Sequence, residues 1–279
     1  MLNLLLLTAC GDRIADQITD LEQTVAESPT KENKKKLVEQ YNEYVKVNPS
    51  KVDKNVQYLY KAAQLHYEMN EFDQAASLLK QSATNYFSAE GTTNSLVLLA
   101  DIYMNKLNKK DKNKDYFKIF ANLFPDETAL QKFLSAQTNA LGQNILEKNT
   151  ATIDTKNATT YIALCEMYAG NFKADETSVD FLLNAANTAS LMKNFDKAIG
   201  IYDIIYSQFR FAEKAANALF LKGFCLENEL GQNDQAKLLY QRFLTNHPKH
   251  SFADAAKFSL ANLDRTNEEI IQGYIEGNE

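Results

Sequence analysis

The stretch Phe195–Pro248 contains one pattern twice and decides the fold. It opens with F-D-K-A-I-G-I-Y-D-I-I-Y-S-Q-F and closes with G-Q-N-D-Q-A-K-L-L-Y-Q-R-F-L-T-N-H-P. Ala198 aligns with Ala236 and Tyr202 with Tyr240, so both pairs are 38 residues apart. A small residue allows a close helix crossing, and an aromatic ring one turn later fills the space beside it. The pattern therefore predicts the second helix of a helical hairpin.

A third copy of the pattern lies upstream, in E-F-D-Q-A-A-S-L-L-K, where Phe72 and Ala75 take the same places. The pattern resembles the tetratricopeptide repeat, a helix–turn–helix unit of about 34 residues. The copy that ends at Pro248 also has Gly231 in its turn, although the chain has no Trp, which the repeat consensus carries. The resemblance implies an all-α fold: a tetratricopeptide-like α-solenoid of stacked antiparallel helix hairpins, wound as a right-handed superhelix.

Composition supports a helical, globular protein. The 279 residues include only 9 Gly and 4 Pro, and 45% of them are hydrophobic, which excludes general disorder. The formal net charge of −6 excludes a broad nucleic-acid surface. Helices are predicted at 31–47, 54–69, 72–87, 94–106, 127–147, 158–169, 178–193, 195–209, 212–229 and 233–246.

Local signals refine these helices. Residues 11–28 have a loose helical period and predict a short amphipathic or tether helix. The Lys-rich stretch K-L-N-K-K-D-K-N-K at 106–114 predicts a solvated loop, with contact to lipid phosphate or an acidic partner as the alternative. The predicted helix caps are Thr30, Asp126, Asn157, Ser251 and the pair Thr266 and Glu269.

The first residues predict a lipid anchor. Leu7-Thr8-Ala9-Cys10 resembles the bacterial lipobox, which implies a diacylglycerol on the Cys10 sulfur and removal of residues 1–9 as a signal peptide. The apolar run is shorter than usual and has no basic residue before it, which a start placed too far downstream would explain. The alternative is an apolar N-terminus with a chance cysteine. The expected location is the bacterial cell envelope, lipid-anchored on the outer membrane and facing the periplasm.

The domain organisation follows from these assignments. Residues 1–9 are the expected signal peptide, 10–30 the lipidated cysteine and tether, 31–265 the solenoid, and 266–279 a capping helix with an acidic tail. No other segment is apolar enough to cross a membrane.

Signals for catalysis are weak. The chain has no nucleophile elbow, metalloprotease or phosphate-loop motif. His247 and His250 offer two zinc ligands where three or four are needed, and His66 stands alone. We therefore expect no catalytic residue, no metal and no cofactor. The alternative is an accessory or hydrolytic protein acting on cell-wall polymer or glycan, which would need acidic groups converging in a pocket.

The combined prediction is a membrane-anchored adaptor or scaffold that binds a protein or peptide partner. The last 100 residues are similar to repeats in the helical lipoprotein of the outer-membrane β-barrel assembly machinery and in the Tol–Pal-associated periplasmic repeat protein. The repeat fold implies a concave face lined by the first helix of each hairpin. Polar and aromatic positions not needed for packing give these groove candidates: Tyr60, His66, Asn94, Asn184, Asn187 and Lys222.

Overall fold

The computed structural model describes residues 2–111, 113–146, 152–212 and 214–276, with side chains from residue 13 onward except those of residues 267, 270, 273, 274 and 276. Apart from one isolated bridge between Leu146 and Ile153, the described residues contain helices and turns only. The helices are α1 (Leu2–Glu27), α2 (Lys31–Val47), α3 (Val52–Glu68), α4 (Phe72–Asn85), α5 (Thr92–Asp101), a π-helix (Ile102–Leu107), α6 (Asn108–Lys110), α7 (Tyr116–Ala121), α8 (Glu127–Gly142), α9 (Thr155–Asn171), α10 (Thr177–Leu191), α11 (Phe195–Gln208), α12 (Ala215–Asn228), α13 (Asn233–Asn246), α14 (Ala253–Asn262) and α15 (Asn267–Glu276).

Short turns join successive helices, and each helix packs against the next from α1 to α5 and from α9 to α14. This is the tetratricopeptide-like hairpin packing predicted from the sequence, so the all-α fold class is confirmed. The chain divides into two compact units, 1–130 and 131–279, and the division falls inside α8. None of the described helices is long and apolar enough to span a membrane.

The first unit has a core shared by α1, α2 and α3. Ile14 and Ile18 of α1 are buried in it, so the apolar side of residues 11–28 packs onto the next two helices. Tyr58 of α3 stacks on Tyr41 with ring centroids 4.8 Å apart and meets Tyr44 edge-on at the same distance. Offset and edge-to-face contacts of this kind stabilise a core beyond simple burial.

The Lys-rich stretch is only partly the loop that the sequence predicted. Residues 102–107 form the π-helix, and α6 continues to Lys110. The reason is tertiary: Leu107 is buried, and the ammonium of Lys106 lies 5.3 Å from the ring centre of Tyr67 and 5.4 Å from that of Phe72. A cation over two aromatic faces holds this segment in helical form.

The second unit shows why the repeat pattern has small residues. Ala198 and Ala236 are fully buried, as expected where two helices cross. Gly223 of α12 lies under Tyr240 of α13, and a Cβ atom at Gly223 would come within 2.9 Å of the tyrosine ring. The close approach of α12 and α13 therefore requires a residue without a side chain at position 223.

Cys165 and Cys225 are free thiols and form no disulfide.

Three of the predicted helix caps are confirmed. The side chains of Thr30 and Asp126 accept backbone N–H groups, and Thr266 and Glu269 form a reciprocal capping box. Two predicted caps, Asn157 for α9 and Ser251 for α14, were wrong. α9 begins at Thr155 and is capped by Asp154, which accepts the N–H of Asn157 at 3.0 Å. α14 begins at Ala253 with no side-chain cap, and Asp254 pairs with Lys257 instead.

Candidate partner-binding surface

In the second unit, α10 has one buried side and one exposed stripe. Leu182, Ala185 and Ala189 are buried. Asn184, Asn187 and Leu191 are exposed and follow one another at helical spacing, so they lie on one side of the helix. Leu191 is 65% exposed, which is high for an apolar side chain within a packed array. This stripe combines amide groups with one exposed aliphatic side chain.

The neighbouring first helix, α12, also has exposed residues. Phe224 is 45% exposed and directly follows Gly223, whose own position is closed by Tyr240. Asn228 lies one turn further and donates from Nδ2 to the carbonyl oxygen of Phe224 at 3.1 Å. α10 and α12 both pack on α11 and also touch each other. The exposed residues Asn184, Asn187, Leu191, Phe224 and Asn228 are called the first-helix face below.

The two asparagines of α10 have partners within the protein. The hydroxyl of Tyr202 donates to Oδ1 of Asn187 at 3.3 Å, and burial raises the pKa of Tyr202 to about 12. The side chain of Asn184 hydrogen-bonds the hydroxyl of Tyr161. An amide group has two donor hydrogens and an acceptor oxygen. One internal bond therefore orients each asparagine and leaves further capacity for a ligand.

Lys222 of α12 is directed at the preceding helix. Its Nζ atom lies 2.7 and 2.8 Å from the two carboxylate oxygens of Asp203 on α11. The lysine side chain is only 20% exposed. Its charge is thus matched inside the protein, and the pair links α11 to α12 as well as limiting what Lys222 offers to a partner.

The other three candidates belong to the first unit. Tyr60 is half-buried, and burial raises the pKa of its hydroxyl. Nδ1 of His66 lies 2.8 Å from Oε2 of Glu71, whose other oxygen pairs with Lys31 at 2.9 Å. The pKa of Glu71 is lowered, first by its hydrogen bond with Lys31 and then by that with His66. Asn94 is exposed in the first turn of α5. The partner-binding role of all six candidates stays a prediction.

Exposed apolar residues on first helices were missed by the sequence analysis, because every apolar residue was assigned to packing. Phe224 was the detectable case. It directly follows the small residue Gly223, just as Asn187 directly follows Ala186. In both helices the residue that follows this buried small residue is exposed. Position relative to the small residue was therefore the available signal.

Nothing in the described ranges brings together three His, Cys, Asp or Glu side chains that could hold a metal ion. The rings of His247 and His250 are 6.5 Å apart, and Nδ1 of His250 accepts the backbone N–H of Phe252. Burial, followed by the nearby His250, lowers the pKa of His247. Both rings pack on Phe243, so they take part in an aromatic cluster.

Comparison with known families identifies two tetratricopeptide repeats. The family model of the tetratricopeptide repeat matches residues 57–86 and 217–250. The first match spans most of α3 and α4, and the second spans most of α12, all of α13 and Pro248. Repeats of this type are protein-interaction modules that typically carry no catalytic group, and the comparison indicates no enzyme family.

Comparisons of the whole chain find less similarity than the repeat model does. No curated protein matches the chain. Among solved structures, the complex of the TPR2AB domain of yeast Sti1 with pHSP90 is similar, with a TM-score of 0.32 and 14% sequence identity. The alignment covers 91% of this chain and 100% of that one.

Proposed function

We propose that this protein is a protein–protein interaction scaffold of the bacterial cell envelope, anchored by a lipid on Cys10 to the outer membrane and facing the periplasm. The observation that carries the proposal is the presence of two tetratricopeptide repeats, at 57–86 and 217–250, in a chain whose helices α10 and α12 carry the exposed polar and apolar first-helix face. The resemblance of the last 100 residues to envelope repeat proteins, read from the sequence pattern alone, is the reason for proposing assembly of outer-membrane proteins as its pathway.

The first-helix face suits an extended polypeptide. Asn184 and Asn187 lie one turn apart on α10, and their amide groups match the donors and acceptors of a peptide backbone. Leu191 and Phe224 supply apolar contacts, and aromatic side chains are frequent anchors of protein interfaces. Side chains of the partner would pack on these two residues, while its backbone bonds to the asparagines.

A comparison of matched variants tests this surface. The tagged protein carrying Asn184→Glu, Asn187→Glu and Phe224→Ser should capture at least tenfold less partner from detergent-solubilised envelopes than the wild type does. The matched control is Leu238→Ser on the second helix α13, where the leucine is 66% exposed. Equal capture by the triple variant, with an unchanged helical circular dichroism spectrum, would place the binding surface elsewhere.

The lipid anchor has its own test, because the side chain of Cys10 lies outside the described residues. The helix α1 includes its backbone, and Ile14, one turn further, is buried against α2 and α3. Radiolabelled palmitate should enter the protein when it is expressed with a complete signal sequence, and Cys10→Ser should abolish labelling. Labelling that persists in Cys10→Ser would refute lipidation at this residue, with Cys225→Ser as the control that keeps the label.

A further inference from the structure

A cleft opens in the second unit between the loop that joins α9 to α10 and the loop that joins α11 to α12. Its volume is about 270 Å³, and its walls include Lys173, Glu176, Val179, Phe209, Phe211 and Ala212. A second cavity of about 80 Å³ adjoins it and shares Glu176, Val179 and Ala212. Sites for whole small molecules usually measure about 300–1,000 Å³. The cleft is therefore better matched to one long side chain.

The cleft lies at a different place from the first-helix face. Val179 is in the first turn of α10, whereas Leu191 ends that helix. Twelve residues of α-helix separate them by about 18 Å along the axis. A ligand held at the cleft would leave the exposed stripe around Asn187 and Leu191 uncovered.

The apolar part of the cleft is a buried floor with an exposed ring beside it. Val179 and Phe209 are buried, whereas Phe211 is 89% exposed. The guanidinium carbon of Arg210 already lies 4.7 Å from the ring centre of Phe211. The negative electrostatic face of the ring accounts for this contact, and the ring stays largely exposed beside it.

The acidic groups of the cleft have different tasks. Oδ2 of Asp175 accepts the hydroxyl of Tyr168 at 2.5 Å and Nε2 of Gln131 at 2.9 Å, and Oδ1 accepts the N–H of Thr177. These bonds, that of Tyr168 first, keep the pKa of Asp175 below its ordinary value. Asp175 is therefore ionised and holds the loop in place through these bonds. Its carboxylate adds negative charge to the cleft wall, but both of its oxygens already accept hydrogen bonds within the protein, so we do not assign it as the partner of a ligand.

The neighbouring carboxylate, that of Glu176, is available to pair with a ligand. Glu176 is exposed and forms no ion pair with any residue that the structure describes. Asp180, at the far side, is matched by Lys214, whose Nζ atom lies 2.8 Å from Oδ1. Lys173, which is exposed in the same loop and also lines the cleft, offsets part of the negative charge. The cleft therefore offers one carboxylate that forms no ion pair with the described residues, one largely exposed aromatic ring and an apolar floor.

We propose that this cleft binds a single arginine side chain of a partner protein. The aliphatic stem of the arginine packs on Val179 and Ala212, and its guanidinium stacks on Phe211 and pairs with Glu176. Arginine fits better than lysine, because a planar guanidinium stacks on a ring and forms forked bonds to a carboxylate at the same time. The site adds a second contact point to the scaffold and does not depend on the first-helix face.

The experiment is a titration of the full-length protein, methyl-labelled at Val and Ala, with capped tripeptides followed by NMR. Acetyl-Gly-Arg-Gly-amide should give saturable shifts at Val179 and Ala212, with a dissociation constant of about 1 mM, as suits one stacked ion pair. The Lys tripeptide should bind several-fold more weakly, and the Gln tripeptide should give no saturable shift. Free arginine forms a fourth arm, since it has the same guanidinium without a peptide backbone.

Variants that should weaken binding, and one that should strengthen it, test the proposal further. Glu176→Gln should weaken binding of the Arg tripeptide about tenfold, and Phe211→Ser should weaken it by a similar factor. Lys173→Gln should strengthen binding two- to threefold, roughly the effect of removing one nearby like charge in water. The matched controls are Glu229→Gln and Phe258→Ser, which are exposed elsewhere in this unit.

Four results would overturn the proposal. One is the absence of saturable shifts at Val179 with the Arg tripeptide, and another is equal binding of the Gln tripeptide. The third is unchanged binding after Glu176→Gln. Tighter binding of free arginine than of the tripeptide would assign the cleft to an amino acid and refute the partner side chain. The capture experiment on the first-helix face is independent of each outcome.

Discussion

The hairpin α12–α13 and the irregular hairpin of α5, the π-helix and α7 solve the same packing problem in different ways. In α12–α13 the helices cross at small residues, and the ring of Tyr240 fits over Gly223. The tyrosine hydroxyl also donates to Oε2 of Glu227 at 2.6 Å. Gly231 adopts a φ of 62° in the turn, a conformation that favours glycine.

The irregular hairpin fills its crossing with larger groups. Tyr103 packs against Tyr116 and Phe120 of the short helix α7, with ring centroids 4.9 and 6.5 Å away. Asp101 is buried at the start of the π-helix and accepts hydrogen bonds from Tyr67 and Asn105. A π-turn places one more residue in the turn than an α-helix does. The contrast teaches that small residues at the crossing preserve the regular repeat, whereas aromatic and polar filling accompanies its loss.

The largest effect on stability is expected when the ring of Tyr240 is removed from the regular hairpin α12–α13. Tyr240→Ala should lower the free energy of unfolding by roughly 3–5 kcal/mol, because it removes a fully buried aromatic side chain and leaves a cavity over Gly223. Urea unfolding followed by circular dichroism measures this loss. Tyr240→Phe, which keeps the ring and loses only the bond to Glu227, is the control and should cost about 1 kcal/mol. Similar losses for both variants would contradict the role given to the ring.

A medium effect is expected at the crossing itself. Ala236→Phe should cost roughly 1–3 kcal/mol, since it overfills a contact that is closed on all sides. Hydrogen exchange of peptides from α12 and α13 should rise, and exchange in α3 and α4 should not change. Lys237→Phe changes the adjacent exposed position and serves as the matched control. Unchanged exchange in Ala236→Phe would remove the helix register assigned here.

The smallest effect concerns the irregular hairpin. Lys106→Gln should cost about 0.5–1 kcal/mol, because it removes the cation from the faces of Tyr67 and Phe72. A thermal melt of this variant is compared with that of Lys109→Gln, where the lysine is exposed. If the two variants melt together, the π-helix owes its form to its apolar residues alone, and the electrostatic part of the contrast between the hairpins disappears.

The sequence by itself determined the local features of this protein. The spacing of Ala198, Tyr202, Ala236 and Tyr240 predicted hairpins whose small residues are buried, because helical periodicity and side-chain size act within a few turns. Thr30 was predicted as a cap for the same reason: capping involves only its own helix.

Only the tertiary structure decided which groups meet across helices and which stay exposed. The bond of Lys222 to Asp203, the position of Lys106 over two rings and the exposure of Phe224 all depend on neighbours far along the chain. The cleft between residues 173 and 212 is formed by the two loops that precede and follow the hairpin α10–α11. Such sites have no periodic signal, because the contacts that form them appear only when hairpins stack and their connecting loops come together.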